Sequence, residues 1–281
     1  QSGKVFYPRG ASAMYKAQSK KEETIDLIEL TFMLPFSSLN ADSGKKLMQI
    51  LRKYCPSAVP VRFGEFEPFQ GRMKSGDDKS FQDCWQRNVS IDFGGSFFWT
   101  ASSPCTSGSI SFSDRRPNPP NTPEGVTRKH DLSISFDGRA LAEDPRWCEV
   151  IKALFVAIAD RFGAFYAVCT VRRGVILARN QIWFGMETEK FHFSHGPWWM
   201  GIPTTPSWMT WFGRGYAEPI SEYLKDCRYV KRFESGGLLI QMGEMPMYQD
   251  AVKEIYPELP SDLVNSSGRG AELIPEVDVK K

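Results

Sequence analysis

"HDLSISFDGRALAEDPRWCEVIKALFVAIADRFGAFYAVCTVRRGVIL" (His130–Leu177) changes its hydrophobic period twice. Leu132, Ile134 and Phe136 alternate with polar residues, and alternation puts one set of side chains on one face of a strand. "AEDPRWCEVIKALFVAIADRFG" then spaces its apolar residues for a helix, with acids and Pro145 early and Gly163 as a stop. "AFYAVCTVRRGVIL" returns to a β-rich run. The unit reads strand, loop, helix, strand.

The same order stands upstream. "TIDLIELTFML" (Thr24–Leu34) reads as a strand and "PFSSLNADSG" as a turn. "GKKLMQILRKYC" places Leu47, Met48, Ile50, Leu51 and Tyr54 at helical spacing before Pro56 ends it, and "VPVRFGEF" is a short strand. Identity between the two units is slight, so the pattern alone suggests an internal duplication. Between them lie a helix ("DKSFQDCWQRN") and two strands ("SFFWTASSP", "GSISFSD"). Downstream come a helix ("EPISEYLKDC"), a strand pair ("RYVKRFE", "GGLLIQMG") and another helix ("MYQDAVKEIY"). The expected class is α+β: two similar strand-loop-helix-strand halves with mixed or antiparallel sheets. The expected division is an N-terminal extension (1–23), a first half (24–114), a Pro-rich basic loop (115–129), a second half (130–256) and a flexible tail (257–281).

With 281 residues the chain can form one large domain or two small ones, since single cores stop growing at roughly 250–300 residues. A net charge of +2 argues against direct binding of nucleic acid, which demands a basic face. Six cysteines without a CxxC pair are expected to be free thiols in a reducing compartment. The longest apolar run, "VIKALFVAIA", is broken by Lys152 and too short to span a bilayer, so no membrane association is expected. The chain starts at Gln1 rather than Met, which is compatible with a processed or truncated start.

Chemistry leaves few marks. His192 and His195 in "EKFHFSH", with Glu187 and Glu189 upstream, have metal-ligand spacing only on a helix, and "FHFSH" alternates like a strand. His130 sits beside Asp131 at a strand start. G-x-S-x-G, the Walker A loop and GxGxxG are absent, and "FGGSFFW" and "TSGSISF" read as bulges or turns. No metal and no cofactor are expected.

Recognition leaves more. "HGPWWMGIPTTPSWMTWFGRGY" (His195–Tyr216) holds Trp198, Trp199, Trp208 and Trp211 with Arg214 and Tyr216. Pro197, Pro203 and Pro206 remove backbone donors and brace it as a stiff loop. Trp208 and Trp211 are three apart, so one helical turn capped by Ser207 would stack them. The rings either fill the core or present a rigid aromatic platform, with both uses open. "RFGEFEPFQGR" (Arg62–Arg72) interleaves Phe63, Phe66 and Phe69 with Glu65 and Glu67. Alternation would make it an edge strand with Glu65 and Glu67 on one face, either solvated or meeting a basic partner.

These two segments, with the "FYAV" strand between them, resemble the immunity protein 52 family of bacterial polymorphic toxin systems over roughly residues 24–245. The resemblance implies an α+β protein without an active site. Such a protein protects its producer by binding a cognate toxin, typically a restriction-endonuclease-like nuclease, in some cases delivered by type VI secretion. The expected function is therefore a non-enzymatic, cytoplasmic immunity protein, with Glu65, Glu67, Trp198, Trp199, Trp208, Trp211, Arg214 and Tyr216 as contact candidates. A hydrolase or transferase using His192, His195 or a cysteine, and a subunit of a bacterial assembly, are the alternatives.

Overall fold

The two strands that open the sequence halves, β1 (Glu22–Pro35) and β6 (Thr127–Asp137), meet in the middle of one sheet. They pair antiparallel from Leu27 opposite Asp137 to Pro35 opposite Lys129. The computed structural model describes residues 22–73, 78–116, 127–178, 181–183, 198–199, 201–224, 227 and 229–264.

The other strands are β2 (Arg62–Gly64), β3 (Gly71–Arg72), β4 (Gly95–Thr100), β5 (Cys105–Phe112), β7 (Tyr166–Ala178), β8 (Gln181–Trp183), β9 (Trp198–Trp199), β10 (Met209–Phe212), β11 (Val230–Arg232) and β12 (Leu238–Gln241). Their order is β11-β12-β10-β7-β1-β6-β5-β4-β2-β3, with β8 added to β7 and β9 to β6. The strand pairs are antiparallel. This is the α+β class read from the sequence. β1 belongs to the first sequence half yet pairs with β7 of the second, and β6 pairs with β5 of the first. Each half thus lends its opening strand to the other, and hydrogen bonding runs unbroken across the sheet.

Three helices pack on the first face: α1 (Ser43–Tyr54), α2 (Lys79–Val89) and, after the short α3 (Arg139–Glu143), α4 (Trp147–Arg161). α1 buries Leu47, Met48, Ile50 and Leu51, and the Asn40 side chain accepts from the Ser43 N–H (3.1 Å) at its start. α4 buries Ile151, Leu154, Phe155 and Ile158. It ends in a Schellman turn: Gly163 takes φ +62°, and the N–H groups of Gly163 and Ala164 reach back to Asp160 and Ala159. Against these helices β1 sets Ile28, Leu30, Phe32 and Leu34, and β4 sets Phe97 and Trp99. Trp85 meets Phe112 edge-on at 5.3 Å, and Phe81 meets Phe97 edge-on at 5.2 Å, the geometry the ring quadrupole favours.

The structure corrects several boundaries. The single helix expected over 142–163 breaks at Asp144–Pro145, where the chain leaves helical geometry, into α3 and α4. Thr127–Lys129, expected in the Pro-rich loop, begin β6, while 117–126 lie outside the described residues. "SWMTWF" is not a helical turn: Met209–Phe212 form β10 between β7 and β12. The helix expected at Glu218 begins earlier, as α5 (Arg214–Ile220), and continues as a 3-10 turn over Ser221–Leu224. The last helix is the short α6 (Gln249–Lys253).

Candidate partner-binding surface

The second face of the sheet changes character from one end to the other. Antiparallel neighbours share a face, so register sorts its rows. Leu238, Phe212, Tyr166 and Met33 form an apolar row covered by Trp199, Tyr216 and Ile220. The same row continues through β6, β5 and β4 as Asp131, Ser111 and Ser96. The next row ends in Ser133, Ser109 and Phe98, with Phe98 38 % exposed. Between the two zones Arg172 bonds Glu29 at 2.6 Å, both largely buried. Burial pushes the Glu29 carboxyl up, and the guanidinium pulls it part of the way back.

At the free end of this polar zone the chain turns between β2 and β3 through Glu65–Gln70. The expected edge strand stops at Gly64, so alternation does not govern Glu65 and Glu67. Both lie on an ordered turn, exposed, with Phe66 between them at 63 % exposure. Gln70 Nε2 donates to the Phe66 carbonyl at 3.2 Å and also to that of Pro68. Asn88, buried on α2, donates to Glu65 Oε1 at 3.0 Å and to the Cys84 carbonyl at 3.0 Å. The turn is thus held by Gln70 and by the bond from Asn88 to Glu65, while the Phe66 ring faces solvent.

The tryptophan segment sits toward the other end of the sheet, and its rings point inward. Trp199 is fully buried between Phe165 and Tyr166, and its indole N–H donates to the Tyr216 hydroxyl at 2.7 Å. Trp208 donates to the Gly243 carbonyl (2.8 Å) and Trp211 to the Ala164 carbonyl (3.0 Å). Trp211 lies so close to Gly237 that a Cβ there would stand 2.1 Å from its ring. Trp198 pairs through its backbone with Arg128, and its ring is outside the described atoms. Arg214 is exposed at the start of α5, and Tyr216 is buried, with burial holding its hydroxyl far above the usual range. The contact candidates therefore form no single surface. Trp199, Trp208, Trp211 and Tyr216 serve the core, whereas Glu65, Glu67 and Arg214 face out.

No family model matches the chain, and no curated protein matches it. A solved structure shares the fold. It is the Pseudomonas aeruginosa T6SS protein PA0821, with a TM-score of 0.52 and 13 % sequence identity over 86 % of this chain and 77 % of that one. At that identity the likeness concerns the fold alone. The immunity protein 52 resemblance rests on the residues quoted for it.

Reactive groups are dispersed. His192 and His195 lie outside the described residues. His130 is buried as a brace: the Ser113 N–H donates to Nδ1 (2.8 Å), so Nε2 carries the proton and donates to the Phe36 carbonyl (2.9 Å). Desolvation lowers its pKa to about 4. Burial raises the thiols of Cys55, Cys84, Cys105, Cys148 and Cys169, the opposite of what a thiolate nucleophile needs. Among the described residues no His, Cys, Asp and Glu cluster could hold a metal ion, and no helix is long and apolar enough to cross a membrane.

Sequence reasoning missed Phe98 and the serine rows. Their signal was present: in "GSISF" and "LSISF" the outward positions are serines, where strands favour β-branched and aromatic residues.

Proposed function

We propose that this chain is an immunity-type binding protein of a type VI secretion setting, which neutralises a nuclease toxin in the cytoplasm by stoichiometric complex formation. The Glu65–Phe66–Glu67 turn carries this reading: an ordered, exposed aromatic bracketed by two carboxylates. Nucleases bind a polyanion and need a basic face. Two carboxylates meet such a face with complementary charge, and burying Phe66 adds about 1.5–3 kcal/mol. Acidity is needed only locally, which suits a chain of net charge +2.

The fold shared with a T6SS protein and the immunity protein 52 resemblance support the same setting. The expected complex holds one nuclease per chain and buries at least about 1,200 Å² at that contact. Co-expression with the nuclease encoded by the neighbouring gene tests it. Protection of the host and co-purification at one to one are expected; a toxic, unbound nuclease contradicts the proposal.

A further inference from the structure

Away from the candidate surface, an open groove of about 410 Å³ runs between the outer flank of α4 and the β11–β12 ribbon. Ala153, Val156 and Ala157 line it from the helix, facing Phe233 and Leu239. Its charged side chains on α4 are Glu149, Lys152, Asp160 and Arg161, one helical face at i, i+3, i+11 and i+12. Ion pairs do form elsewhere, as between Arg52 and Asp78 and between Arg173 and Asp250. These four make no ion pair among the described residues, although all line the open groove.

We propose that this flank docks on the same flank of a second copy of the chain, about a two-fold axis through the middle of α4. Two copies of one helix related in this way run antiparallel and bring together positions equidistant from the axis. Glu149 and Arg161 are equidistant from Phe155, and so are Ala153 and Ala157. Lys152 and Asp160 are equidistant from Val156. The two centres differ by one residue, about 1.5 Å along the helix, which long side chains absorb. Glu149 therefore faces Arg161, and Lys152 faces the groove-lining Asp160. Each pair forms twice. A parallel arrangement would instead set each charge against itself. The alanines at the centre let the helix axes approach to about 8–10 Å.

Sedimentation equilibrium on the full chain, without toxin, tests this independently of the proposed function. A dimer is expected in the micromolar range. Ala153→Arg, at an exposed helical position, should give a monomer with an unchanged melting temperature. Glu149→Lys should raise the dissociation constant about tenfold, through two lost pairs. Glu149→Lys combined with Arg161→Glu should restore dimerisation, because the reversed charges still match. A wild-type chain that stays monomeric overturns the proposal. So does a dimer indifferent to Ala153→Arg, or a double reversal no tighter than Glu149→Lys alone.

Discussion

The turn over Glu65–Gln70 and the segment Trp198–Tyr216 are both rich in aromatics, and the fold treats them in opposite ways. Trp199, Trp208 and Trp211 are buried, each indole N–H bonded to a partner inside the protein. Phe66 is out in solvent. The difference lies in the path of the chain. A tryptophan can be buried once its single donor is satisfied. Phe66 is outside because β2 ends at Gly64 and the chain turns away from the sheet there, which leaves its ring no inward-facing strand position. Density of aromatics therefore says little about exposure, whereas the element that carries each ring decides it: β10 inside the sheet for Trp211, a turn beyond β2 for Phe66.

The largest expected effect is on the buried side. Trp211→Ala should lower unfolding stability in denaturant by about 3–5 kcal/mol, since it empties a core site and leaves the Ala164 carbonyl without its donor. An effect below about 1 kcal/mol would mean that this segment is not core.

Acid should reach the interior through His130. Its folded pKa, about 4, lies below the ordinary 6.5. Above pH 6.5 it is neutral in both states and has no effect. As pH falls toward 4, the unfolded chain takes up a proton that the folded one refuses, so stability should drop by about 3 kcal/mol. Urea titrations at several pH values should show this slope, and His130→Gln should flatten it.

Gly237→Ala would press a methyl group into the Trp211 ring, and a cost of about 1–3 kcal/mol is expected from thermal melts. The smallest effect belongs to the exposed turn. Phe66→Ala should change stability by less than about 0.5 kcal/mol while weakening partner binding. A large loss of stability there would show that Phe66 is structural.

Local periodicity made most of the fold legible. β1, α1, α2, β6 and β7 follow the alternation or helical spacing of their own residues. The exchange of β1 and β6 between halves was not legible, because strand pairing is a long-range choice that no local period encodes. β10 was misread because Trp208 and Trp211 stand three apart, a helical interval, while the pull of β7 and β12 makes the stretch extended. Of the candidate site, Glu65 and Glu67 were visible as residues but not as a turn. The inward aim of Trp199, Trp208 and Trp211 depends on distant acceptors at Tyr216, Gly243 and Ala164.

The most direct test of the proposed contact combines Phe66→Ala and Glu67→Lys in one chain and measures its affinity for the nuclease encoded by the neighbouring gene. The expected result is a variant that melts like the wild type and binds at least about a hundredfold more weakly, with protection lost in cells. Wild-type affinity from this variant would contradict the account.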